Sequence, residues 1–93
     1  MVIGVLTLDV EIDSAFSLKE KRMSVNRIRD RVRQKFNVAV AEVDDLHVWN
    51  RACIAVVAVS NEQKHVNRVL SKVVDFVQTI RDCELGDFST EFF

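Results

Sequence analysis

The sequence has no proline and only two glycines in 93 residues. Nothing in it can serve as a flexible Pro/Gly-rich linker, so one domain spanning residues 1–93 is expected, long enough to bury a modest core without disulfides or a metal. Cysteine is scarce as well. Cys53 and Cys83 lie thirty residues apart, form no CxxC pair and have no histidine at ligand spacing, so they read as small residues in apolar surroundings rather than a redox or metal site. The two histidines, His47 and His65, are far apart with no acidic or cysteine partner at useful spacing, which argues against a metal or general-base role for either. No apolar run is long enough to cross a bilayer. The amino terminus has no basic flank and soon meets Asp9 and Glu11, so a membrane-free, cytoplasmic protein is expected.

What is present is a regular alternation of element signals. Val2–Ile12 puts Val2, Gly4, Leu6, Leu8, Val10 and Ile12 on one face of a strand, expected to be the core face. Ser17 with Glu20 forms a capping box that opens a helix at Leu18. In that helix Leu18, Val25, Ile28, Val32 and Phe36 fall within about 80° of one another, and Asn37 ends it. Val38–Val43 reads as a short strand and Asp44–Asn50 as a hairpin connection. Ala52–Val59 is apolar at every position, which predicts a strand covered on both faces. Asn61, or Ser60 with Gln63, starts a second helix with the stripe Val66, Val69, Leu70, Val73, Val77 and Ile80, running to about Asp82. Cys83–Phe93 alternates weakly and supplies a last strand or a strand with a tail. The order βαββαβ predicts an α+β, ferredoxin-like domain with a four-stranded antiparallel sheet and both helices on one face.

Charge is distributed unevenly along the chain. Leu18–Phe36 holds eight of the thirteen basic residues, Lys19, Lys21, Arg22, Arg27, Arg29, Arg31, Arg33 and Lys35, against Glu20 and Asp30, a net +6. The remaining residues carry five bases and twelve acids, a net −7, so the overall −1 conceals a strong asymmetry. On the wheel Arg22, Asn26, Arg29 and Arg33 occupy one flank within about 60°, with Lys19 in the first turn, while Arg27, Arg31 and Lys35 climb the far side at spacing of four. Like charges at that spacing cost an isolated helix roughly 0.2–0.5 kcal/mol per pair, so acids or a polyanion should lie against them. Phosphate suits arginine's forked donors, which makes Lys19, Arg22, Asn26, Arg29 and Arg33 candidate nucleic-acid contacts. Carboxylates of the same assembly, among them Asp9, Glu11, Asp13, Glu42, Asp44 and Asp45, are the alternative partners. The sequence pI of about 6.1 weighs against nucleic acid. Arg27, Arg31 and Trp49 are candidate interaction residues, Trp49 either anchoring a partner or folding back over the end of the core.

The segments Ser17-Leu18-Lys19-Glu20-Lys21-Arg22, Phe36-Asn37-Val38-Ala39-Val40-Ala41-Glu42-Val43, and Trp49 with Arg51-Ala52 together resemble the YlxP-like family of small bacterial proteins, catalogued as a domain of unknown function. The resemblance runs almost end to end. It implies a ferredoxin-like fold and, because members are often encoded beside translation-initiation and ribosome-maturation factors, a role near the small ribosomal subunit. Ribosomal RNA or a ribosome-associated factor is thus the expected partner; no catalytic residues come with the resemblance. Catalysis is not expected from the residues either. A ferredoxin-like acyl-phosphate hydrolase needs a glycine-rich anion loop before its first helix, and this chain has Asp13-Ser14-Ala15-Phe16-Ser17 there. Walker and dinucleotide motifs are missing, as is a nucleophile beside a base, so no cofactor and no metal are expected. The two strands expected to be central carry no aromatic residue for base stacking. Their apolar open face instead suggests a homodimer through that face or through the sheet edges.

Overall fold

The computed structural model describes every residue, Met1–Phe93. Six elements follow one another: β1 (Val2–Glu11), α1 (Leu18–Lys35), β2 (Ala39–Asp44), β3 (Arg51–Ser60), α2 (Gln63–Val77) and β4 (Glu84–Phe92). The sheet order is β2-β3-β1-β4 with every pairing antiparallel. This is the α+β, ferredoxin-like βαββαβ arrangement, with β1 and β3 central.

Alternation decides the two faces of the sheet. Leu6, Leu8, Val10 and Ile12 of the first strand segment and Ala52, Ile54, Val56 and Ala58 of β3 are buried, and they share one core with Val25, Ile28 and Val32 of α1 and Val66, Leu70, Val73, Val74 and Val77 of α2. Each such aliphatic side chain removed from water contributes roughly 1.5–3 kcal/mol, so this single face holds the fold together. Gly4 belongs to it for a steric reason. A methyl group at Gly4 would lie 2.8 Å from Leu70 Cδ1 and closer still to Val66 Cγ1, so the missing side chain lets α2 press directly on β1.

On the opposite face Ile3, Val5, Ala55 and Val57 are half-buried, whereas Ala39, Ala41 and Val59 are exposed. The register sets Ile3 beside Val59, Val5 beside Val57, and Val57 beside Ala39. The uninterrupted apolar run in β3 predicted cover on both sides, but no element of this chain covers the second one.

The helix ends depart slightly from the sequence pattern. Ser17 caps α1 by accepting the Glu20 N–H at 3.1 Å, which forms the hydroxyl half of the expected box. α2 begins after Glu62, which provides no side-chain cap; the Ser60 hydroxyl instead accepts the Glu62 N–H at 3.4 Å. α2 stops at Val77 rather than near Asp82. The chain there tightens into i→i+3 turns, Thr79 N–H to the Phe76 carbonyl (3.0 Å) and Ile80 N–H to that of Val77 (3.1 Å), and Ile80 remains buried. Periodicity therefore counted Ile80 as helical because its burial continues the stripe after the helix has ended.

Candidate functional site

The site is assembled by one buried cation. Lys21, in the first turn and a half of α1, has no exposed surface. Its ammonium donates to the carbonyls of Asp45 (2.7 Å) and Leu46 (3.4 Å) in the connection between β2 and β3 and of Arg51 (3.2 Å) at the start of β3. Glu42 Oε2 lies 2.7 Å away as an ion pair on the same ammonium. Glu42 thus neutralises charge while the hairpin backbone supplies further acceptors. Asp45 takes a left-handed conformation (φ 59°) at the tip, and its N–H is accepted by the Asp44 carboxylate at 2.8 Å. The hairpin is consequently fastened to the start of α1.

That fastening places the basic flank of α1 against edge strand β2. Arg22, Asn26 and Arg29, three of the five candidate contacts, line one cleft of about 220 Å³ together with Val25, Val40, Ala41, Glu42 and Ile54. Lys19 and Arg33 are exposed on the same helix outside the lining. Arg29 Nε also reaches the neighbouring Asp30 carboxylate at 3.1 Å, an exposed pair of small energetic value. The far side of α1 is different. Arg27 bonds the Asp82 carboxylate and the Ser24 hydroxyl, and Lys35 lies 4.6 Å over the Phe76 ring. Arg31 is exposed. Of the eight bases, Lys21, Arg27 and Arg29 pair with carboxylates of their own chain, whereas Lys19, Arg22, Arg31, Arg33 and Lys35 do not.

Trp49 remains 45% exposed and stacks on Phe16, itself 78% exposed, with ring centroids 6.4 Å apart and planes at 26°. Sequence reasoning singled out Trp49 and passed over Phe16. A signal was present: Phe16 precedes the cap Ser17, where an apolar residue ordinarily packs on the fourth helical position to staple the helix entry. Here that position is Lys21, whose side chain is committed to the hairpin, so Phe16 is left to meet Trp49. Lys21 itself could not be told apart from its neighbours in a basic run. Glu42 does act as a carboxylate partner for α1, but of Lys21 rather than of the arginines.

The thiols are poorly suited to chemistry at neutral pH. Burial, then the Asp82 charge, pushes Cys83 up to about 11. Cys53, on the open face of the sheet, is also raised, chiefly by burial and then by the charge of and a hydrogen bond to Asp9. No helix is long and apolar enough to cross a membrane.

Comparison with known proteins gives the family. The family model described as "Protein of unknown function (DUF503)" matches residues 3–90. The "Uncharacterized protein YlxP" of Bacillus subtilis (strain 168) is 34% identical over 92 residues, covering 99% of this chain and 100% of that protein. With the match extending across both helices and all four strands, the chain belongs to the DUF503, YlxP-like family.

Proposed function

We propose that this is a small, non-catalytic cytoplasmic binding protein that contacts structured ribosomal RNA through the basic flank of α1. The observation that carries the reading is the convergence of Arg22, Asn26 and Arg29 on one cleft, flanked by Lys19 and Arg33, while Lys19, Arg22 and Arg33 have no carboxylate partner in the chain. The competing account, in which the basic helix is neutralised by its own assembly, explains Lys21, Arg27 and Arg29 but not these three. The single acid lining the cleft, Glu42, is already neutralised by Lys21. Phosphate oxygens would meet arginine forks there without facing an unpaired carboxylate.

The test is co-sedimentation with small ribosomal subunits, and with a structured ribosomal RNA fragment, across a salt series. Each phosphate contact steepens the log–log salt dependence by about 0.7–0.9. Replacing Arg22, Arg29 and Arg33 together by glutamine should therefore weaken binding at moderate salt and flatten the slope by about two to three. Binding that is unchanged in the triple variant refutes the proposed surface.

The uncovered sheet face supports a second copy of the chain as its occupant, since Ile3, Val5, Ala39, Ala41, Ala55, Val57 and Val59 form a contiguous apolar area. Sedimentation equilibrium should show a dimer that Val57→Glu dissociates, and a monomeric parent protein would contradict this.

A further inference from the structure

We propose that the RNA engaged by α1 is single-stranded where it meets the protein, with one unpaired base stacked on the Phe16–Trp49 pair. This rests on the reading above and specifies its ligand. The rings lie at the end of α1 where the basic flank begins. Phe16 immediately precedes the cap Ser17, Lys19 lies in the first turn, and Arg22 is one turn beyond Leu18. Trp49 is brought there by Lys21, whose ammonium holds the carbonyls of Asp45, Leu46 and Arg51 on either side of it.

The pair has the features of a stacking platform. Its planes are 26° from parallel, and Phe16 keeps 78% of its surface open, so a third ring can add to the stack. A protein hot spot is ordinarily rimmed by groups that exclude water. Here the helix that follows Phe16 presents Lys19 and Arg22, exposed cations without a carboxylate partner, beside the single acid Glu20. Leu46, 50% exposed, and Val43, 53% exposed, lie on the same hairpin and would favour a protein. Arg22 to Arg33 covers eleven helical steps, about 16 Å, long enough to follow several phosphates of one strand. A base anchored on the rings would direct its backbone along these arginines. Paired bases in a duplex are already stacked and cannot enter, so the platform selects loops and unpaired segments.

Trp49 is the only tryptophan in the chain, so its emission reports on the platform directly. The experiment titrates the protein with a mixed-sequence RNA of about ten nucleotides, single-stranded or annealed to its complement. Expected are quenching of Trp49 emission by the single strand alone and about tenfold tighter binding of it than of the duplex. Phe16→Ala and Trp49→Ala should each weaken single-strand binding about tenfold and leave duplex binding unchanged. If Trp49→Ala does not fold, Phe16→Ala decides, because that ring is almost free of the core. Equal affinity for both forms with unchanged emission, while the triple arginine variant still loses binding, overturns the stacking inference and leaves the basic-helix reading intact. Full RNA affinity in both ring variants removes the aromatic pair from the RNA site and likewise overturns it. No binding of either RNA overturns both readings.

Discussion

Replacing Lys21 by methionine keeps the apolar stem to Cε and removes the ammonium with its charge, which isolates that group as a variable. In the native structure four acceptors surround it: three carbonyls between 2.7 and 3.4 Å and Glu42 Oε2 at 2.7 Å. Losing one member of a buried ion pair costs about 3–5 kcal/mol, because the other charge is left without a partner. The side chain of Glu42 retains 13% exposure and can recover some hydration, and the carbonyls of the exposed Leu46 and Arg51 can turn to water. The lower end of the range, about 3 kcal/mol, is the expected loss, a large share of the 5–15 kcal/mol that stabilises a domain of this kind. For 93 residues it corresponds to a fall in Tm of about 12–24 °C. Glu42→Leu added to Lys21→Met removes the orphaned carboxylate, so the double variant should return to within about 1–2 kcal/mol of the parent, the remainder being the lost carbonyl bonds. Urea unfolding, with midpoints compared at unchanged m, measures all three proteins. A Lys21→Met protein within about 1 kcal/mol of the parent, or a double variant no more stable than the single, refutes the assignment of Lys21 as the anchor of the hairpin.

Further expectations follow from single contacts. Gly4→Ala drives a methyl group into Val66 and Leu70 and should cost about 1–3 kcal/mol in the same unfolding measurement, unlike the near-neutral change expected if α2 could recede. Ser17→Ala removes the acceptor for the Glu20 N–H and should cost about 1 kcal/mol, with loss of amide-exchange protection confined to the first turn of α1. Cys83, with its thiol raised to about 11 from an ordinary 9.0, should alkylate slowly in the folded protein at pH 8 and rapidly in urea. The same shift has a definite sign for stability. The folded thiol holds its proton more tightly, so its contribution is intact below pH 9 and is lost as pH rises toward 11, a loss that Cys83→Ala should remove from the stability profile.

Much of the fold was legible because its signals are local. Alternation in Val2–Ile12 identified the buried set Leu6, Leu8, Val10 and Ile12, and Ser17 marked the start of α1. The end of α2 was misplaced because Ile80 is buried from a turn, and burial is what a periodic stripe records. The flank Arg22, Asn26, Arg29 could be read from helical spacing alone. Its position beside β2 could not, since a wheel gives angles within one helix and not what faces it.

By itself, then, the sequence determined the element order, the core face of β1, the two flanks of α1 and the concentration of positive charge there, because each depends on spacings of two to four residues. Tertiary structure decided which of the eight bases are available to a partner. Lys21 looks like its neighbours in the chain, yet it is buried because carbonyls 24 to 30 residues away converge on it, and a cation leaves water only where such acceptors replace its hydration. The same convergence draws Trp49 onto Phe16 and opens the cleft at Arg22 and Arg29, linking residues that no local pattern connects.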